Sequence, residues 1–197
     1  MMLVEETTIP ASGLPVDPFK AHLRLGTGFA DDAVQDAVLE SFLRAAIAAV
    51  EARTGKILLE REFSWSLMGW RDDAGQSLPV APVSAVTKVA LIDVDDVEIV
   101  LPMTGFSLAQ DFERPRLIPK GSSLPSIPSK GSVDIAFTAG FAQTFDDLPN
   151  DMAQAVFLLA THYYENRNAA DSVAMPFGVA ILLERYKTIR ILGGSRP

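Results

Sequence analysis

His162 is one of only two histidines in this 197-residue chain, and it stands in the segment THYYENRNAA with Glu165 three residues further on. On a helix that spacing puts an imidazole and a carboxylate on one face, as in di-iron helices. A metal or catalytic centre needs more ligands. The other histidine, His22, belongs to a separate element, no H-E-x-x-H pair or second E-x-x-H copy accompanies it, and the chain has no cysteine to supply a thiolate. Read instead as the end of a packing helix, the segment accounts for its residues one by one. Arg167 suits the exposed carbonyls, and Asn166 tolerates a left-handed conformation. Glu165 opposes the helix dipole there, so it calls for a basic partner: Arg185, Lys187 or Arg53. The expectation is no catalytic, cofactor or metal site, and a polar cluster of Glu165, Asn166 and Arg167 at a helix end.

The other candidate motifs fail on spacing. Counted from Asp93, DVDDVE places Val97 fifth, Glu98 sixth and Thr104 twelfth, where an EF-hand loop requires an oxygen ligand, a glycine and a glutamate. It reads as a solvated hairpin tip. LGTGFADD lacks the third glycine of a dinucleotide loop and follows no strong strand. Lys120-Gly121-Ser122 and Lys130-Gly131-Ser132 reverse the order of a phosphate loop, and no G-x-S-x-G elbow occurs. A nucleophilic triad has little basis with two isolated histidines.

Composition narrows the classes further. Twenty-five acidic against seventeen basic residues give a formal net charge of −8, which opposes the counterion-release attraction of duplex binding. A negative wall would instead let DNA pass without sticking. The absence of cysteine excludes a disulfide framework and a cysteine nucleophile. The amino end, MMLVEETTIPASGL, carries acids where a secretory signal has a basic region, and no run approaches a membrane span. A soluble, cytoplasmic chain is expected when it is made.

The elements that must position these residues follow from periodicity. An extended, proline-punctuated start leads to a short helix over Pro18 to Leu25. From Asp31 to Thr54, Val34, Val38, Phe42 or Leu43, Ile47 and Val50 recur at helical spacing, and Gly55 supplies the stop. The period then becomes two: Phe63, Trp65 and Leu67 alternate with polar neighbours, and VTKVALIDVDDVEIVL reads as two strands about an acidic turn. Pro119 to Ser132 reads as an exposed loop, Ser132 to Phe137 as a last strand. Helix returns near Leu148, with Pro149 in its first turn, Asp147 as cap, and a stripe of Met152, Val156, Leu159 and Tyr163. A final helix covers about Gly178 to Ile189. The expected fold is α+β: one domain over 1–197, a helical bundle (about 18–55 and 148–189) with a small antiparallel sheet inserted at about 56–142.

The end of the chain, IRILGGSRP, places Ile189, Ile191 and Leu192 on a strip followed by two glycines and a basic end. Two readings stay open. The strip folds back on its own core, or segment 189–197 docks on a partner.

The order of these pieces resembles the head-tail connector, or adaptor, proteins of tailed bacteriophages and of bacterial gene-transfer agents. The matching stretches are PVDPFKAHLRL, DDAVQDAVLESFLRAAIAAVEARTGKIL, LPVAPVSAVTKVALIDVDDVEIVL, VDIAFTAGFA, LPNDMAQAVFLLATHYYENR and MPFGVAILLERYKTIR, together spanning about Pro15 to Arg190. The hairpin of that family usually turns on a glycine; here Asp95 and Asp96 occupy the turn. The resemblance implies a structural protein whose subunits form a ring, commonly of twelve, beneath the portal. Such a ring joins the DNA-filled head to the stopper or tail-completion protein and gives a channel through which DNA passes without specific binding. It implies no catalytic residues, no cofactor, no membrane, residence in the particle neck after assembly, and a carboxyl-terminal segment (Ile189, Arg190, Ile191, Leu192 and Arg196) docked on the portal. The alternatives are a tail-completion or stopper protein of the same particle, or a small metal-dependent hydrolase using His162 and Glu165.

Overall fold

A computed structural model describes residues 2–23, 35–166 and 175–187. They divide into two compact units, one drawn from residues 2–15 and 56–148, the other from residues 16–23, 35–55, 149–166 and 175–187. The class is α+β, with more sheet than the periodicity alone predicts.

The first unit holds two antiparallel sheets. The larger orders its strands β1 (Met2–Glu5), β2 (Arg61–Leu67), β8 (Ser132–Ala139), β4 (Val83–Ile92) and β5 (Glu98–Val100). The smaller orders β3 (Gln76–Ser77), β7 (Arg116–Pro119) and β6 (Phe106–Ala109). Strict alternation on β2 and β8 turns Phe63, Trp65, Leu67, Val133, Ile135 and Phe137 to one face, where they pack with Phe106 and Leu117 of the smaller sheet. Phe63 and Phe137, directly opposite in register, stack with ring centroids 5.7 Å apart.

Three expectations for this unit change. The extended start becomes β1, paired with β2 from Met2↔Ser66 to Glu5↔Phe63. The single small sheet becomes a five-stranded and a three-stranded one. The segment read as an exposed loop is pinned: Leu124 is buried, its N–H donates to Asp73 O, and Trp70 Nε1 donates to Pro125 O at 2.7 Å. One apolar side chain among serines, prolines and glycines finds a core position that average polarity hides.

The β4–β5 turn shows how the chain dispenses with the glycine. Asp96 adopts φ 59°, and Asp93 Oδ1 accepts the N–H groups of Asp95 and Val97, both at 2.9 Å. Aspartate is among the few L-residues that visit this left-handed region without large cost.

The second unit contains, among the described residues, helices α1 (Val16–His22), α2 (Asp36–Thr54), α3 (Asn150–Glu165) and α4 (Phe177–Leu182). On α2 the buried stripe is Leu39, Leu43, Ala46, Ile47, Val50 and Thr54. Val38, read from the sequence as part of it, is 45% exposed, because Leu39 one position on holds the inward direction. Residues 31–34 lie outside the described residues. Gly55 takes φ 69° and returns its N–H to Glu51 O, closing the helix at the expected place.

Helix α3 starts later than expected. Pro149 stands at the N-cap with no side-chain cap bond, while Asp147 sits in a preceding 3-10 turn and accepts the Thr144 hydroxyl. Its stripe of Met152, Ala155, Val156 and Leu159 is buried, and Tyr163 is partly so. The last helix is shorter than read from the sequence: α4 ends at Leu182 and a 3-10 turn, Glu184–Tyr186, follows.

Candidate assembly surfaces

His162 and Glu165 occupy the last turn of α3. The His162 carbonyl accepts both the backbone N–H and the side-chain amide of Asn166, the latter at 2.9 Å, and His162 Nδ1 lies 3.1 Å from that same amide. Asn166 has φ −101°, so it ends the helix by folding its amide back rather than by going left-handed. Glu165 is exposed and has no salt bridge among the described residues. Two of its three anticipated partners are engaged elsewhere: Arg185 reaches Asp151 at 3.5 Å, and Lys187 pairs with Glu184. Arg167, Ile189, Arg190, Ile191, Leu192 and Arg196 lie outside the described residues.

No group of three His, Asp or Glu side chains able to hold a metal ion occurs among the described residues. His22, the other histidine, packs its ring on Phe157 at 5.4 Å beside Phe19, which stacks on the same ring at 5.9 Å. It serves as an aromatic plate.

The charged residues that the fold does bury are structural ties. Lys20 reaches Asp36 at 2.5 Å and Asp17 at 3.6 Å, joining the last turn of α1 to the start of α2; the hydrogen bond to Asp36, ahead of the two carboxylate charges, holds its ammonium above the usual lysine range. In the first unit, fully buried Lys56 donates to Phe112 O at 2.5 Å, pairs with Glu113 at 3.3 Å and lies 4.8 Å from the Phe112 ring centroid. Asp111 accepts the Arg114 and Glu113 N–H groups at 2.7 Å each, and those bonds hold its carboxyl below the usual range. Lysine and aspartate thus shape one loop, residues 110–115, from inside and outside.

Two open clefts lie in the first unit. One, of about 220 Å³, is lined by Leu101, Pro102, Phe106, Pro119 and Pro125 and carries no ionisable side chain. The other, of about 330 Å³, has Asp111 as its single ionisable residue, between Pro82, Gln110, Phe112 and Phe141. Neither brings together an acid and a base.

What the surface presents instead is apolar edge. On β1, Met2 is 62% exposed, with Leu3 and Val4 beside it; at the far edge of the same sheet, Val97, Ile99 and Val100 are each more than half exposed. Composition cannot reveal such edges, because both strands are too short to show a period. No helix among the described residues is long and apolar enough to cross a membrane.

These features define a two-unit α+β protein whose described surface offers contact edges rather than an assembled reaction centre. No family model and no curated protein matches the chain. Solved structures do. The neck of an empty gene transfer agent particle, computed with C6 symmetry, contains a chain 52% identical over 100% of both chains, with a TM-score of 0.91. The neck of a native particle, computed with C12 symmetry, contains one 48% identical over 100% of both, with a TM-score of 0.86. The virion of a native gene transfer agent particle gives 52% identity over 98% of this chain and 99% of that one, with a TM-score of 0.88. At this identity over the full length, the chain belongs to the family of these gene transfer agent neck proteins.

Proposed function

We propose that this chain is a structural head-tail adaptor in the neck of a phage-like gene transfer particle. Its copies form a ring, of twelve, between the portal and the stopper or tail, and DNA passes through the channel without specific binding. The observation that carries this reading is the full-length similarity to neck chains of particles computed with C6 and C12 symmetry. The net charge of −8 suits a channel wall that repels phosphate. The segment Ile189 to Leu192, with Arg190 and Arg196, docks on the portal in this proposal. This reading gives the chain a structural role with no catalytic step, which the full-length similarity to neck chains supports.

Electron microscopy of the purified chain mixed with portal subunits tests the reading. A stoichiometric ring beneath the portal is expected; binding only to the tail tube would assign the chain to tail completion instead. Bound metal after exhaustive dialysis, together with failure of a His162→Ala variant, would restore the hydrolase alternative.

A further inference from the structure

We propose that the two outer strands of the five-stranded sheet form the subunit contact of the ring, edge β1 of one copy lying against edge β5 of the next. The inference rests on the ring reading above and adds which surfaces meet. A cyclic assembly of more than two copies needs a heterologous interface, with two different patches on each copy. The two ends of one sheet supply such a pair.

Each end has the character of an interface. The outer sides of β1 and β5 have no neighbouring strand among the described residues. A sheet edge left to solvent is ordinarily guarded by lysine or proline. Here the strands read MLVE and EIV, with Met2 62%, Ile99 54% and Val100 59% exposed. Their carboxylates are neutralised within the same copy, Glu5 by Arg61 at 3.0 Å and Glu98 by Lys88. That matters for a chain of net charge −8, whose copies repel unless the abutting surfaces are uncharged or already paired.

Register and twist define the kind of contact. Leu3 lies opposite Trp65 and Ile99 opposite Leu91, and both partners project to the core face, so Leu3 and Ile99 share one face of the sheet. Sheet twist of about 20–25° per strand accumulates to about 80–100° from β1 to β5. Successive copies of a twelvefold or sixfold ring turn by only about 30° or 60°. A hydrogen-bonded ladder therefore cannot continue from copy to copy, and the edges meet through side chains.

Because the chain has no cysteine, Leu3→Cys and Ile99→Cys introduce the only thiols. The full-length double variant, assembled with portal subunits and treated with a short bismaleimide, should give a ladder of linked multimers on a denaturing gel. Each single variant should remain monomeric. Linked dimers from Leu3→Cys alone would mean that like edges meet, overturning the proposal. Rings visible by microscopy without a ladder would overturn this contact while leaving the ring standing; wild-type chain that forms no ring with portal would remove the ring reading and the contact with it. As a second measurement, Ile99→Asp should still fold, with a melting temperature lowered by about a few degrees at most, and should lower ring yield at least tenfold. Wild-type ring yield in that variant would also overturn the proposal.

Discussion

Tyr186 donates its hydroxyl to Asp151 Oδ1 at 2.6 Å, tying the 3-10 turn after α4 to the first turn of α3 across 35 positions of sequence. Burial, then the hydrogen bond to Asp151 and its negative charge, push the phenol up to about 12, with Arg185 opposing. A raised folded value means that the bond's stabilisation is complete below the unfolded value of about 10 and is lost as pH rises toward about 12. Unfolding free energy should fall across that window in the wild type. In Tyr186→Phe it should be lower by about 1–2 kcal/mol at neutral pH and show a flatter decline. Urea melts at several pH values check both.

Lys56 is the pin of the 110–115 loop. Lys56→Met keeps the buried length but leaves Phe112 O and Glu113 without their bonds to this ammonium. Stability should drop by about 1–3 kcal/mol, and limited proteolysis should cut first within that loop.

Gly140 follows β8 directly at φ 153°, its N–H donating to Pro82 O. A Cβ there would run into the backbone of Glu60 and would lie 2.7 Å from the Leu59 carbonyl carbon. Gly140→Ala combines that collision with a disfavoured conformation, so a loss on the order of 3 kcal/mol or more is expected in a denaturant titration.

Asp96 provides the opposite case. Its φ of 59° suits glycine, so Asp96→Gly should be neutral or stabilising by up to about 1 kcal/mol. Asp96→Val, β-branched in the same conformation, should destabilise by about 1–2 kcal/mol. Melting temperatures of the pair separate the two directions.

Legibility followed burial. The alternation on β2 could be read because one face is buried and the other is not. β1 could not, since all four of its residues are exposed, and β3, β6 and β7 are too short to carry a period. The start of α3 was misplaced because Asp147 precedes a proline that stands at the cap itself. The THYYENR segment was legible as a helix end, and the last turn of α3 lies there. Its details were not: Asn166 ends the helix through His162 without a left-handed turn, and of the three bases proposed for Glu165, Arg185 pairs with Asp151 and Lys187 with Glu184.

By itself the sequence determined what is local: the helical stripe on α2, the stop at Gly55, the β4–β5 hairpin, and an order of elements sufficient to show the family resemblance. Only the tertiary structure decided what depends on residues far apart. It set β8 between β2 and β4, buried Leu124 and Lys56, and left β1 and β5 as the outermost strands of one sheet among the described residues. Periodicity reports which side of an element faces inward. It carries no record of the neighbour that covers that side, because pairing is settled by contacts whose energies arise only when distant segments meet.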